Sequence, residues 1–118
     1  MHEMAMTQDV LKIVLQHAEK GGAKQVVSVS LRIGELRDIV DEWMQRFFDY
    51  LTHGTIAAEA KLKIKRLPIV FRCECGETFP TNIKLFMGNL PIVCPNCKGE
   101  KTVLYSGREF EIQSIEVK

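Results

Sequence analysis

Apolar side chains recur along this chain with two different periods, and each period predicts an element. Between Met4 and Lys20, Met4, Leu11, Leu15 and Ala18 fall at helical spacing, while Val10, Ile13, Val14 and His17 widen the same face. Gly21-Gly22 stops that helix. Val26 to Ile33 alternates instead, with Val27, Val29, Leu31 and Ile33 on one side and Ser28, Ser30 and Arg32 on the other, which predicts a half-buried strand. After a turn at Gly34-Glu35, Asp41 is placed to cap a second helix in which Trp43, Met44, Phe47, Phe48 and Leu51 restore the helical period. His53-Gly54 closes it.

Lys61, Lys63 and Lys65 then alternate with Leu62 and Ile64 in a strand that reaches Leu67. Pro68 removes a ladder donor, so the strand is an edge there or breaks into the next segment. Residues 70–102 hold all four cysteines and three of the four prolines, and are expected to be ordered by a crosslink more than by a core. Val103–Ser106 and Glu109–Val117 flank the turn Ser106-Gly107-Arg108. In the last strand the apolar phase moves from Phe110 and Ile112 to Ile115 and Val117, which predicts a bulge. The expected fold is α+β. Residues 1–69 and 103–118 form two helices on a small mixed sheet, in which Val103–Val117 returns to the Val26–Ile33 strand, and residues 70–102 form an inserted zinc-ribbon-like domain.

Composition narrows the function classes. At 118 residues, two large domains are excluded, and 16 basic against 15 acidic side chains leave a net charge of +1. Such a balance supplies no overall field for nucleic acid or an anionic membrane. The longest uncharged stretch, Leu85 to Cys97, has 13 residues and is broken by Gly88, Pro91 and Pro95, too short for a bilayer span. The first residues lack a basic start followed by an apolar run, so the expectation is a cytoplasmic protein with reduced thiols.

Those thiols come in two close pairs, Cys73 with Cys75 and Cys94 with Cys97, with 18 residues between the pairs. Two ligand-bearing turns joined by a loop suit tetrahedral zinc, and Cys94-Pro95-Asn96-Cys97 has the spacing of a zinc knuckle. Cys73-Glu74-Cys75 is one residue shorter. Its backbone is not expected to form the usual knuckle hydrogen bonds to sulfur, although both thiolates still reach one ion. A redox-active Cys-x-x-Cys would not need the other pair. Between Cys73 and Cys97 the charged residues are Glu74, Glu77 and Lys84, so a zinc tetrathiolate there repels phosphate. The one basic group, Lys61, Lys63, Lys65, Arg66 and Arg72, reads as a solvated edge-strand face. A zinc-ribbon nucleic-acid-binding or transcription accessory module is the alternative reading. Four cysteines leave no open coordination position, and no catalytic triad or phosphate-cradling loop is visible, so no enzyme is expected.

Met1-His2-Glu3 carries different chemistry. The Met1 amine, the His2 amide and imidazole nitrogens and the Glu3 amide nitrogen can wrap one divalent ion in fused chelate rings. Four nitrogens in a plane suit Ni(II) or Cu(II) better than Zn(II) or Mg(II). The bulky His2 is expected to leave Met1 uncleaved. On its own the motif reads more readily as the exposed polar start of a chain than as a metal site.

Taken together, Met1-His2-Glu3 before a helix, Arg32-Ile33-Gly34-Glu35-Leu36 at a strand end, Phe47-Phe48 in the second helix, the paired cysteines and the closing Ile112-Gln113-Ser114-Ile115-Glu116-Val117 resemble the HypA family of hydrogenase nickel-incorporation chaperones. The resemblance covers the whole chain in order. It implies a metallochaperone that binds Ni(II) at its free amino terminus through His2, with Met1 and Glu3 beside it. An aspartate after the Gly-Glu turn, Asp38 or Asp41, would approach the nickel. Cys73, Cys75, Cys94 and Cys97 would hold a structural Zn(II). The implied partners are the GTPase HypB and the [NiFe]-hydrogenase large subunit precursor, with urease maturation proteins in some organisms, and neither nucleic acid nor membrane. His17 is expected to be a half-buried packing residue and His53 to meet a helix C-terminal dipole.

Overall fold

The computed structural model describes residues 2–82, 88 and 91–118, with His2 described in its backbone alone. Two helices and six strands follow in the order α1 (His2–Lys20), β1 (Val26–Gly34), α2 (Asp41–Leu51), β2 (Lys61–Leu67), β3 (Ile69–Cys73), β4 (Thr78–Thr81), β5 (Thr102–Ser106) and β6 (Phe110–Val117). They form two three-stranded sheets, one in the order β2-β1-β6 and the other in the order β4-β3-β5. The class is α+β, as the patterning predicts. Pro68 alone separates β2 from β3, so the proline divides one sheet's strand from the other's.

The first sheet is mixed. Glu35, just past β1, donates to the carbonyl of Leu67 at the end of β2, so these strands end together and run parallel with α2 as their crossover. Gly34 donates to Glu109 at one end and Lys118 to Gln25 at the other, so β6 runs antiparallel to β1. Arg32 and Ser28 share a face of β1 and reach Glu111 and Glu116 at 2.7 Å and 3.0 Å. Partners five apart on β6 share a face only if its alternation slips once between them, and its half-covered residues do change phase, from Phe110 and Ile112 to Ile115.

Two compact units divide the chain. The first comprises residues 1–32, 38–65 and 111–118. Val10, Val14 and Ala18 of α1, Val29 and Leu31 of β1, and Met44 and Phe48 of α2 are buried in it. α1 begins at His2, two residues before the periodicity suggests, and so includes His2 and Glu3. Its far end closes in a Schellman arrangement: Ala23 donates to Ala18, Gly22 donates to Glu19, and Gly22 takes φ +70°. Gln45 of α2 reaches the outer edge of β2, accepting the Leu62 amide hydrogen at 2.8 Å and donating to the Ala60 carbonyl at 3.5 Å. Its side-chain amide stands in for a neighbouring strand on an otherwise open edge. Lys61, Lys63 and Lys65 are exposed and Leu62 and Ile64 half-buried, as the alternation predicts.

The second unit comprises residues 33–37 and 66–110, wider than the expected insert at 70–102. It has its own apolar core, contrary to the expectation of order by a crosslink: Ile69, Phe71, Cys73, Phe79 and Cys94 are buried, with Leu36, Ile92 and Leu104 packed against them. The Phe71 and Phe79 rings stack with centroids 6.4 Å apart, directly across the β3–β4 pair. Nor does all of Val103–Val117 return to β1. β5 pairs antiparallel with β3, setting Leu104 opposite Phe71, and only β6 joins β1. The reason is core demand: Leu104 completes the apolar face around Phe71. Between β5 and β6 the chain turns at Gly107, with φ +130°, against Gly34. A Cβ on Gly34 would lie 2.0 Å from the Gly107 carbonyl oxygen, so two backbones touch where two side chains cannot.

Candidate metal centres

The cysteine pairs converge because each rides on an element of the second unit's small core. Cys73 is the last residue of β3 and is buried with Phe71, and Cys94 is fully buried beside it. A tight turn follows Cys73: Gly76 donates to its carbonyl, Cys73 donates to Glu77, and Gly76 takes φ +94°. On the other side Lys98 donates to Cys94 and Cys94 donates to Gly99, with Lys98 at φ 63°. Those two turns bring the four sulfurs within 4.8 Å of one another. Cys73 and Cys97 sulfurs are 3.4 Å apart and Cys75 and Cys94 sulfurs 3.8 Å.

A tetrahedral ion with metal–sulfur bonds of about 2.3 Å requires sulfur–sulfur separations of about 3.8 Å. The cluster therefore has the dimensions and donor set for one tetrahedral ion and no room for an additional ligand. Hydrogen bonds converge on its sulfurs. The Gly99 amide donates to Cys97 at 3.4 Å and the Asn96 side chain to Cys75 at 3.8 Å. The Cys75 backbone amide favours the Cys73 thiolate, and the Glu77 backbone amide the Cys75 thiolate.

The thiols are electrostatically unequal. The Glu77 amide, then Asn96 and the neighbouring cysteines, hold Cys75 down at about 7 in spite of burial. The Cys75 amide favours the Cys73 thiolate, but burial and hydrogen bonds with Cys97, Cys75 and Cys94 outweigh it and push Cys73 up to about 12.

In the first unit, Glu3 is buried and its carboxylate accepts the Val40 amide hydrogen at 3.0 Å. Val40 flanks the start of α2 in extended conformation, and its own side chain caps nothing. Asp41 is thus the first helical residue, not the cap expected from sequence. The bond that a capping-box glutamate makes to the N-cap amide is supplied by Glu3 from α1, with its negative charge at the positive end of α2. Thr7 donates to the Glu3 carbonyl inside α1. Asp38, two residues before Val40, is exposed, and Asp41, the residue after it, is half-buried. Met1 and the His2 side chain lie outside the described residues. His17 is exposed, not half-buried as expected, and faces a groove between α1 and β6 of about 470 Å³.

A family model described as "Hydrogenase/urease nickel incorporation, metallochaperone, hypA" matches residues 1–117. The chain belongs to the HypA family. The hydrogenase maturation factor HypA of Dehalococcoides mccartyi strain 195 is 39% identical over 118 residues, covering 99% of this chain and 94% of the relative. That of Caldanaerobacter subterraneus subsp. tengcongensis is 37% identical over 119 residues, covering 99% of each. The solution structure of the Ni metallochaperone HypA from Helicobacter pylori has the same fold, with a TM-score of 0.64 over 98% of this chain and 96% of that one at 21% identity. A second HypA solution structure gives a TM-score of 0.75 at 22% identity, over 100% and 97% of the two chains. The family consists of nickel metallochaperones for hydrogenase maturation, and its members are maturation factors, not enzymes. Among the described residues no helix is long and apolar enough to cross a membrane.

Proposed function

We propose that this chain binds Ni(II) at its free amino terminus, through the Met1 amine, the His2 amide and imidazole and the Glu3 amide nitrogen, and delivers it to the [NiFe]-hydrogenase large subunit precursor. The observation that carries the reading is the start of α1 at His2 in a HypA-family chain. Amides in a helix's first turn have no intrahelical acceptor, so the two that the nickel needs are not held by the helix. With the Glu3 carboxylate engaged at Val40, its backbone nitrogen is the donor, and Asp38 or Asp41 is the carboxylate approaching the ion. A site at a chain end can be dismantled one donor at a time, so ligand exchange needs no unfolding. HypB is the GTPase partner, and urease maturation is a further route of delivery.

Zinc at Cys73, Cys75, Cys94 and Cys97 fits the four-sulfur set, and when bound it ties β3 to the Cys94–Gly99 turn and adds to the small core there. The nucleic-acid reading gains no support from the Cys73–Cys97 segment, whose charged residues are Glu74, Glu77 and Lys84.

Changing His2→Ala, or extending the amino terminus by one residue, should abolish stoichiometric nickel binding in equilibrium dialysis and leave zinc content and circular dichroism unchanged. Tight nickel binding by the extended protein contradicts the reading.

A further inference from the structure

The two edges of the first unit's sheet are treated differently. In the order β2-β1-β6, the β2 edge is met by Gln45 of α2 at Leu62 and Ala60, and its strand carries Lys61, Lys63 and Lys65; both features discourage strand addition. β6, at the other edge, contains neither lysine nor proline, and among the described residues no strand pairs with its outer side. Glu109 and Lys118 bond to β1, so alternation counted inward from each end turns the N–H and C=O groups of Ile112, Ile115 and Val117 to that open side. The same three side chains, with Ile13, Ala18 and Ala23 facing them, line the groove of about 470 Å³ beside α1. Ile13 is 43% and Val117 45% exposed, so unbonded main chain and uncovered apolar surface coincide.

We propose that the open edge of β6 takes an extended segment of a partner protein as a fourth strand, with apolar residues at every second position filling the groove beside α1 and lysine or arginine between them. The main chain selects the occupant. A row of outward N–H and C=O groups is matched in full only by another extended backbone, and the groove lies on the side where alternate side chains of an added strand project. On the other face of β6 the charged side chains are Glu111 and Glu116. Each has one carboxylate oxygen engaged on the β1 side, by Arg32 and by Ser28. Residues set directly across from them on an added strand are their nearest neighbours on the open side, and basic ones are favoured there. Lys118 follows Glu116 two residues on, so the preference falls on the positions facing the two glutamates and not on a partner that is basic throughout. A second copy is a poorer occupant. Its β6 has no basic residue to set against Glu111 and Glu116, and its β2 edge is already held by Gln45.

The experiment titrates a short capped peptide of alternating valine and lysine into the full-length, isotope-labelled protein and follows its backbone amides by NMR. The proposal predicts saturable shifts and slowed hydrogen exchange at Ile112, Ile115 and Val117. It predicts binding weakened at least about threefold in Ile13→Ser and in Glu111→Gln/Glu116→Gln, with both variants folded by circular dichroism. The peptide supplies a control that leaves the protein untouched. Only every second amide of an added strand faces the edge, so N-methylation of one alternating set of peptide residues should abolish binding and N-methylation of the other set should spare it. Equal binding by the two N-methylated peptides, shifts that avoid β6, or no saturable binding of the parent peptide overturns the proposal. A protein that is a dimer in light scattering, with the Ile112, Ile115 and Val117 amides slow to exchange before any peptide is added, assigns the edge to a second copy and overturns it as well.

Discussion

Glu3 joins two helices at the point where both begin. Its carboxylate is buried and satisfies the N-cap amide of α2, a role that no local pattern around Asp41 discloses. Replacing it, Glu3→Ala, leaves that amide without the carboxylate and removes a negative charge from the helix's positive end. The expected loss is about 1–2 kcal/mol in urea unfolding, with nickel stoichiometry retained, because the proposed donor is the backbone nitrogen. Loss of nickel without loss of stability would show instead that the carboxylate is a ligand. At Gly34 the constraint is steric. A methyl group there meets the Gly107 carbonyl at 2.0 Å, and neither backbone can withdraw without unpairing β1 from β6. Gly34→Ala should therefore cost about 3 kcal/mol or more, read as a fall in the thermal midpoint, while Gly54→Ala, with nothing within 4 Å of the added carbon, should show only the backbone cost of its φ of +79°.

Among the elements, those with a clean period are the ones the sequence makes legible: α1, β1, α2 and β2 follow from spacing, although in β1 Ser28 on the opposite face is buried too. β5 was legible as a strand at Val103–Ser106 but its pairing with β3 was not, nor was the β3–β4 pair, since these partners are set by a core only eight side chains large. The signal was present in Ile69, Phe71 and Cys73 alternating before the turn and Phe79 after it. It was obscured because the cysteines accounted for the segment without a core. The converging sulfurs were legible from spacing, whereas the tight turn after Cys73 depended on the conformation of Gly76. Gln45 could not be read at all, since a glutamine on a helix gives no hint that it completes a strand edge. Gln45→Leu should destabilise the first unit by about 1–3 kcal/mol, measurable as faster hydrogen exchange at Leu62.

The inequality between Cys73 and Cys75 gives the cysteine centre a pH dependence. Cys75, held at about 7, is a thiolate above that pH and a thiol below it, whereas Cys73, at about 12, must shed its proton as the ion binds. Protons therefore compete with the metal. Apparent zinc affinity of metal-free protein should rise from pH 6 to pH 8, and proton release on zinc uptake should decline over the same range as Cys75 ionises in advance. Competition with a chromophoric chelator, and calorimetry in buffers of different ionisation enthalpy, measure the two. Affinity that is flat with pH would contradict the assignment of these thiols as ligands.

For the molecule as a whole, each of the two units has a core of its own; the second gathers four thiols, and the first carries the amino terminus at which nickel binding is proposed. Four soft donors at closed coordination suit an ion that stays, and an open chain end with nitrogen donors suits an ion that leaves. Membership of the HypA family was legible across the full length, because its motifs are spread over both units and kept in order. The most direct measurement is metal analysis of untagged protein after nickel loading and desalting, with magnetic and absorption spectra of the product. The account predicts one zinc per chain and one diamagnetic, square-planar nickel that is lost on acidification. Nickel that is paramagnetic and six-coordinate, or that binds equally to a protein with a blocked amino terminus, would contradict it.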